Sequence, residues 1–341
     1  MRSILNNGPH ATVSSQNAMG GTALALALSL AVFSLALSAC SDKALNESSR
    51  SAAPAEPPSE TRSEPGSERG TEPTVLAPGV ISTDGFELGV SFAPDGRTAY
   101  FSRIGEGFST SVILTSQWQD GQWSPPEPVS FAGQYRDIDA FVSPDGNKMF
   151  FQSDRPVEGS EPKDWDIWVS EKTDAGWGEP RNLGAPVNTS GVETYPVVVG
   201  DGSLYFSSDR DGGHGEGDVY RSRFVDGEYL EPENLGPPIN TAEFDSNAFV
   251  AVDESYLILS SSSLPGHLGS GDLYLSRRLD SGWSELEHLP QVNSAAREFA
   301  PSVSPDGTTL FFTRDQRDPA VGEEFLGDIF QIELNALGIA P

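Results

Sequence analysis

Five acidic side chains recur at the same distance before a turn-like segment of the sequence. Each stands eight residues before the central acid of a turn of Pro-Asp-Gly type, and the five are Glu87, Asp137, Glu193, Asp245 and Glu298. Equivalent positions of a repeated unit meet around a common axis, so five carboxylates are expected around one mouth of a central channel. Such a ring could bind a cation or a polar ligand such as a sugar.

Arginines offer these acids a structural alternative. In four repeats an arginine stands eight to ten residues after the turn aspartate. These arginines are Arg103, Arg155, Arg210 and Arg314. In a hairpin, acid and arginine lie at the same end and can pair across strands. The fourth repeat has serines instead, which leaves Asp245 without that partner, and Asp139 adds an acid two residues after Asp137. A small ligand is therefore expected first beside Asp137, Asp139 and Asp245.

Other polar candidates are weaker. The loop 209–218 alternates acids and glycines, but it lacks the EF-hand order and its terminal glutamate. A turn in which Asp218 accepts from backbone amides is the favoured interpretation. His214 and His267 have no cysteine or nearby histidine to complete a zinc site, and are interpreted as loop residues. Core packing is expected of the six tryptophans, although Trp165 could stack on a sugar.

No catalytic constellation stands out in the sequence. It has no Gly-x-Ser-x-Gly elbow, phosphate-binding glycine loop, dinucleotide fingerprint or nucleophilic cysteine. Two carboxylates at working separation could hydrolyse a glycoside, but the repetition of the acid argues against the two different environments this requires. We predict no catalytic residue, cofactor or metal.

The elements around these residues form a repeat of about 50 residues. An aromatic strand follows each turn, and a third strand opens with Asp166, Asp218, Asp272 or Asp328 in four repeats. A fourth strand with glycine and an aromatic residue comes next. Four short strands in such a unit are typical of propeller blades, so the sequence predicts an all-β, five-bladed β-propeller with four antiparallel strands per blade.

The ends of the chain predict how this ring closes. After its third strand the fifth repeat has too few residues for a fourth one, whereas residues 74–80 resemble the end of the second repeat's fourth strand. The N-terminal strand is therefore expected to complete the last blade and leave no open edge. This assigns residues 73–341 to one propeller domain.

The repeats also carry a family resemblance. The Pro-Asp-Gly turns, the stretch Tyr-Phe-Ser-Ser-Asp-Arg at 205–210 and Asp-Val-Tyr at 218–220 resemble the WD-repeat-like propeller repeats of TolB type. The resemblance covers residues 73–334. It implies a periplasmic or extracellular binding platform, and some relatives of this kind act on carbohydrates.

The N-terminal 72 residues have a different composition. An apolar run from Thr22 to Ala39 ends in Leu-Ser-Ala before the single cysteine, Cys40, so residues 1–40 are predicted to be a signal peptide. The site resembles a bacterial lipobox, which implies lipidation of Cys40; an uncleaved membrane anchor is the alternative. Since Ser41 rather than an aspartate follows Cys40, the resemblance favours the outer membrane. Residues 41–72, rich in Ser, Pro and Glu, are predicted to be a disordered tether.

Charge and fold together leave two functions. A net charge of −29 excludes a nucleic-acid partner and electrostatic docking on anionic lipid, so only the anchor would contact the membrane. The first hypothesis is a monomeric envelope lipoprotein that binds or scaffolds protein through the loops after each second strand. The second is a propeller that binds or cleaves carbohydrate at the acidic mouth.

Overall fold

The computed structural model describes residues 71–157, 165–315 and 326–339. The predicted signal peptide, Cys40 and all but the last two residues of the predicted tether lie outside them. Regular structure in the described residues consists of β-strands and two short 3-10 helices, Glu106–Phe108 and Leu334–Leu337. The described part of the chain is therefore all-β, as the sequence predicted.

The strands follow one another in five groups after a short N-terminal strand, β1 (Thr74–Val75). The first group is β2 (Phe86–Phe92), β3 (Thr98–Ile104), β4 (Ser111–Gln119), β5 (Gln122–Trp123) and β6 (Glu127–Pro128). The second group is β7 (Asp137–Val142), β8 (Lys148–Ser153), β9 (Asp166–Thr173), β10 (Gly176–Trp177) and β11 (Arg181–Asn182). The third group is β12 (Glu193–Val198), β13 (Leu204–Ser208), β14 (Asp218–Ser222), β15 (Phe224–Val225), β16 (Glu228–Tyr229) and β17 (Glu233–Asn234). The fourth group is β18 (Ser246–Val250), β19 (Tyr256–Ser261), β20 (Asp272–Leu279), β21 (Gly282–Trp283) and β22 (Glu287–His288), and the fifth is β23 (Arg297–Val303), β24 (Thr309–Asp315) and β25 (Gly327–Glu333).

Within each group the three long strands form an antiparallel sheet. Its first strand pairs with the second and the second with the third, while β6, β11, β17 and β22 pair with the third strands of the first four groups. In the fifth group that place is taken by β1, where Thr74 lies opposite Gln331 and Val75 opposite Phe330. The first and last parts of the described chain thus share one sheet.

Residues within the turn between the first and second strands stabilise its conformation. Asp95 Oδ1 accepts from the backbone N–H groups of Arg97 at 2.8 Å and Thr98 at 3.2 Å, and Gly96 has a φ of 64°. Aspartate can close such a turn on its own backbone, and glycine takes positive φ without a steric penalty. We call the end of the molecule formed by the turns 93–97, 143–147, 199–203, 251–255 and 304–308 the turn face. The opposite end, with the described loop residues 105–110, 154–157, 209–217 and 262–271, is the loop face.

Apolar side chains fill the spaces between neighbouring groups. Phe150 and Ile167 of the second group pack with Leu204 and Phe206 of the third in one buried cluster. The middle segments of the strands are consequently buried on both faces, which explains their continuous apolar runs. A further cluster collects residues of all five first strands around the axis.

Every first strand carries a bulge at the same position. The register with the second strand shifts there, and the five residues with φ between 51° and 55° are Gly89, Asp139, Tyr195, Asn247 and Ala300. Four of them are not glycine, so the backbone holds side chains in a left-handed conformation that costs roughly 1–2 kcal/mol each. Bulges of this kind redirect a side chain.

Candidate functional site

The five repeated acids are buried and make hydrogen bonds or ion pairs inside the protein. Glu87, Asp137, Glu193, Asp245 and Glu298 have no exposed surface. Each of four of them accepts from the Thr or Ser backbone four residues earlier; Thr189 Oγ1, for example, also donates to Glu193 Oε1 at 2.6 Å. These four carboxylates therefore hold the loop that leads into the first strand of their group.

Arginines contact four of the carboxylates. The distances are 2.8 Å from Arg103 Nε to Glu87, 2.7 Å from Arg155 Nη2 to Asp137, 3.4 Å from Arg210 Nη2 to Glu193 and 2.7 Å from Arg314 Nε to Glu298. No ion pair to Asp245 is found among the described residues, and its Oδ1 is buried without a hydrogen bond. The structure thus brings together the acids and arginines that the sequence singled out.

Burial governs the protonation of these acids. It raises the pKa of Asp137, Glu193 and Asp245, while Arg155 opposes this effect at Asp137 and the Thr189 hydrogen bonds oppose it at Glu193. In this structure the five carboxylates do not face an open mouth, contrary to the expected accessible ring. Ligand binding by these residues stays a prediction.

Asp139 differs from the other acids because its bulge turns it toward the channel axis. Its Oδ1 is buried and accepts no hydrogen bond from the described residues, and burial raises the pKa of Asp139 to about 7. Gly89 is the only bulge residue without a side chain, and a Cβ there would lie 3.4 Å from Asp139 Oδ1. The described hydrogen bonds therefore give the Asp139 carboxyl no structural role inside the protein.

Tyr195 lies on the same small cavity. Its hydroxyl donates to the Pro301 carbonyl at 2.6 Å, and burial together with the charge of Asp139 raises the pKa of Tyr195 well above its usual value. The cavity, of about 20 Å³, is lined by Gly89, Asp139 and Tyr195 among others. It has room for about one water molecule.

A larger cavity of about 480 Å³ opens on the turn face. Phe92, Phe141, Phe249 and Tyr256 line it together with valines of the first strands, and Phe141 and Phe249 also line the small cavity around Asp139. The channel is thus apolar and widens toward the turns. This accessible concave site was not expected from the sequence, because the apolar residues that line it also fit a buried core.

Two ionised carboxylates line this opening. Asp253 and Asp306 line the cavity, and hydrogen bonds from Ser255 and Ser304 within their turns lower the pKa of both. Asp145 and Asp201 occupy the same turn position with lowered pKa values. The negative charge of the accessible mouth therefore comes from the turn aspartates, which the sequence analysis treated only as turn formers.

The remaining candidates have structural surroundings. Asp218 accepts from the His214 backbone N–H, as the turn interpretation requires, and His267 contacts its own loop at the Gly269 carbonyl. Arg136 lies 4.8 Å from the ring of Trp165. Trp118 departs from the core packing expected of the tryptophans, because 38% of its surface is exposed.

Residues 71–157, 165–315 and 326–339 contain no group of three His, Cys, Asp or Glu side chains placed to hold a metal ion. No helix in them has the length and hydropathy needed to cross a membrane.

Comparisons with known proteins identify the fold. No protein-family model and no curated protein matches the chain. Among solved structures, the catalytic domain of the Coprinopsis cinerea GH62 alpha-L-arabinofuranosidase has a TM-score of 0.52 at 14% identity, covering 77% of this chain and 97% of that one. The exo-beta-1,3-galactanase 1,3Gal43A of Clostridium thermocellum has a TM-score of 0.50 at 13% identity, covering 76% and 62%. TolB from Acinetobacter baumannii has a TM-score of 0.46 at 15% identity, covering 74% of this chain and 55% of that one, so the chain spans about half of that protein.

At these identities the likeness concerns the fold alone. Together with the all-β sheets described above, it shows a propeller fold. The chain is a protein of the β-propeller class.

Proposed function

We propose that this chain is a lipid-anchored envelope protein whose five-bladed propeller binds a protein partner through its turn face. The observation that carries the proposal is the apolar cavity of about 480 Å³ that opens among ionised aspartates. A concave apolar centre with a charged rim is the arrangement that accepts the central anchor side chains of a protein interface.

Five blades of four strands each are the architecture that fits the pairings best. Each of the first four groups supplies three long strands and a short fourth one paired with the third, and β1 supplies the fourth strand of the last blade. Hydrogen bonds join the first and fifth groups, from Gly89 N to Thr313 Oγ1 at 2.9 Å and from Ser302 Oγ to the Val90 carbonyl. Analogous bonds link Asp139 N to Ser102 and Tyr195 N to Gln152 between other neighbours. The same contact repeated around the axis supports a closed ring over residues 73–341.

The anchor and the location rest on the sequence. The apolar run that ends in Leu-Ser-Ala-Cys40, with a Ser-, Pro- and Glu-rich stretch behind it, supports export, lipidation of Cys40 and a tethered propeller at the outer membrane.

Protein binding is favoured over catalysis because of how the repeated acids are used. All five are buried, four are bonded to the loop before them and four contact an arginine, so they are suited to holding the blades together rather than to moving protons. The turn face, in contrast, offers an accessible concavity. The loops of the second and fifth groups lie partly outside the described residues, so binding at the loop face stays a prediction.

Photo-crosslinking from the two faces tests the proposal. Val252 on the turn face and Leu268 on the loop face are exposed to 56% and 57%, and each would be replaced by p-benzoyl-phenylalanine in cells. We expect a discrete protein adduct from position 252 and none from position 268. An adduct from position 268 alone would move the interface to the loop face and contradict the proposal.

Carbohydrate binding is the second candidate, and Asp139 is the observation that favours it. Its carboxyl lies in the channel, and one of its oxygens accepts no hydrogen bond from the residues that the structure describes, as would suit an acceptor for a sugar hydroxyl. The two solved structures with TM-scores of at least 0.5 reported above are named for action on arabinofuranosides and galactan. Retention on a glycan array that Asp139→Asn abolishes, without any protein adduct at position 252, would select this function.

A further inference from the structure

A second groove lies on the turn face between the first and fifth groups. Its volume is about 690 Å³, and it shares Phe92, Pro94 and Pro305 with the channel mouth. Phe92 and Phe311 form its floor with ring centroids 4.8 Å apart, and Trp123 lies 6.1 Å from Phe92. The half-exposed Trp118 meets Trp123 edge to face at 5.5 Å. Four aromatic rings therefore run from the surface into the groove.

The charge of this groove is negative. Asp95 and Asp306 belong to its lining, which contains no lysine or arginine. Asp306 Oδ1 accepts from Ser304 and Thr308, whereas Oδ2 accepts no hydrogen bond within the part of the chain that the structure describes. The groove thus combines electron-rich ring faces with a carboxylate oxygen that is available to a donor.

In three other groups, a cationic side chain lies against an aromatic ring of the corresponding hairpin. In the corresponding hairpins, Lys172 pairs with Trp177 and places its Nζ 6.0 Å from that ring, and Arg278 pairs with Trp283 at 4.9 Å. In the third group, Phe224 pairs with Tyr229 and receives Lys148 Nζ at 5.4 Å. Three hairpins therefore hold a cation supplied by the chain itself.

The first group lacks this internal cation. Trp118 takes the position of Lys172 and Arg278 opposite the hairpin aromatic, Trp123. Among the cation–ring contacts of the described residues, none involves Trp118 or Trp123. One hairpin in the ring thus presents the aromatic half of the contact toward solvent.

We propose that this groove binds an arginine or lysine side chain presented by the protein partner. The inference rests on the proposed function and adds the chemistry of the partner. The quadrupole of a tryptophan ring attracts a cation over its face, and a carboxylate beside it adds a charge-assisted hydrogen bond. The aliphatic stem of the same side chain would cover Phe92 and Trp123.

Trp118→Lys tests the site by filling it from within, as Lys172 does in the second group. The full-length chain in detergent solution would be titrated calorimetrically with acetyl-triarginine amide. We expect at least about tenfold weaker binding in Trp118→Lys. Val225→Lys adds the same charge to the hairpin of the third group at a 42% exposed position, and should change affinity less than about threefold. Equal losses in both variants would mean general charge attraction and would overturn the proposal.

A second pair of variants keeps the test valid if Trp118→Lys fails to fold. Asp95→Asn with Asp306→Asn keeps acceptors for the turns but removes two charges, and should weaken triarginine binding several-fold more than Asp211→Asn with Asp226→Asn. Binding of neutral xylohexaose that Trp118→Lys abolishes, with no binding of triarginine, would assign the groove to sugars instead.

The crosslinking experiment separates the two proposals. An unchanged adduct from position 252 in the Trp118→Lys chain would refute the cation site and leave the turn-face interface standing. Triarginine binding that depends on Trp118, with no adduct from position 252, would keep the cation site and refute the interface.

Discussion

Val75 lies opposite Phe330 in antiparallel register, so the first strand of the described chain is hydrogen-bonded next to the last. Leu76 follows in the same run, donates from its backbone to the Ile329 carbonyl at 2.8 Å and is buried against Phe311 and Ile329. Because this contact closes the sheet, β1 should contribute to the stability of the whole ring.

Leu76→Ala is therefore expected to lower the free energy of unfolding by about 2–5 kcal/mol, since it leaves a cavity in a packed cluster. Urea unfolding followed by tryptophan fluorescence measures the change. Leu279→Ala, at a half-exposed position in β20, should change it by less than about 0.5 kcal/mol. Deletion of residues 73–77 with no loss of thermal stability would show that β1 does not close the ring.

Asp139 predicts a dependence of stability on pH. Burial raises its pKa from 3.8 to about 7, so between these values the folded state holds a proton that the unfolded state has released. This contribution to stability is complete below about pH 4 and is lost as pH rises to about 7. Asp139→Asn should thus gain stability relative to the natural chain over that interval, by at most about 1.4 kcal/mol per pH unit. Parallel stability profiles from pH 4 to 8 would contradict the assignment.

Arg155 should matter more than Arg103, although both contact a repeated acid. The Arg155 side chain is 8% exposed and Asp137 is fully buried, whereas the Arg103 side chain is 35% exposed. Arg155→Met leaves the buried Asp137 carboxylate without this partner and should lower the free energy of unfolding by about 3–5 kcal/mol. Arg103→Met should cost clearly less, and adding Asp137→Asn to Arg155→Met should restore part of the loss. Equal costs for the two arginines would mean that burial does not set the strength of these pairs.

Cys40→Ser tests the proposed anchor. Metabolic labelling with radioactive palmitate should mark the natural chain and not the variant, which should leave the membrane fraction. If the natural chain is unlabelled yet stays in that fraction, the apolar run 22–39 is an uncleaved membrane anchor instead.

The propeller fold was predictable because its signals are local and repeated. Asp95 closes its turn on its own backbone, and the same chemistry recurs at Asp145, Asp201, Asp253 and Asp306, so one motif that occurs five times indicated the strand order. The position of β1 was also predictable, since the fifth repeat lacks a fourth strand and residues 74–80 resemble one.

The surroundings of the repeated acids were less predictable. The spacing of Glu87 and Arg103 in the sequence predicts that they are cross-strand neighbours, as they are. Whether that end of the strands faces water depends on the loop 83–86, which folds over the carboxylate. The bulges at Gly89 and its equivalents have no common residue type, so their positive φ angles left no sequence pattern. In the sequence alone, Trp118 is one of several aromatic residues in strands. Its difference from the other repeats is seen only when it is aligned with Lys172 and Arg278.

The place of β1 also decides where mechanical load enters the molecule. Chain from the N-terminal segment leads directly into Thr74 and Val75, which pair with Gln331 and Phe330 in a short antiparallel contact that Leu76 extends through its bond to Ile329. A pull on that segment would peel these pairs apart one after another before it reached any longer strand. Tension applied between that segment and the rest of the ring would therefore open the last sheet first.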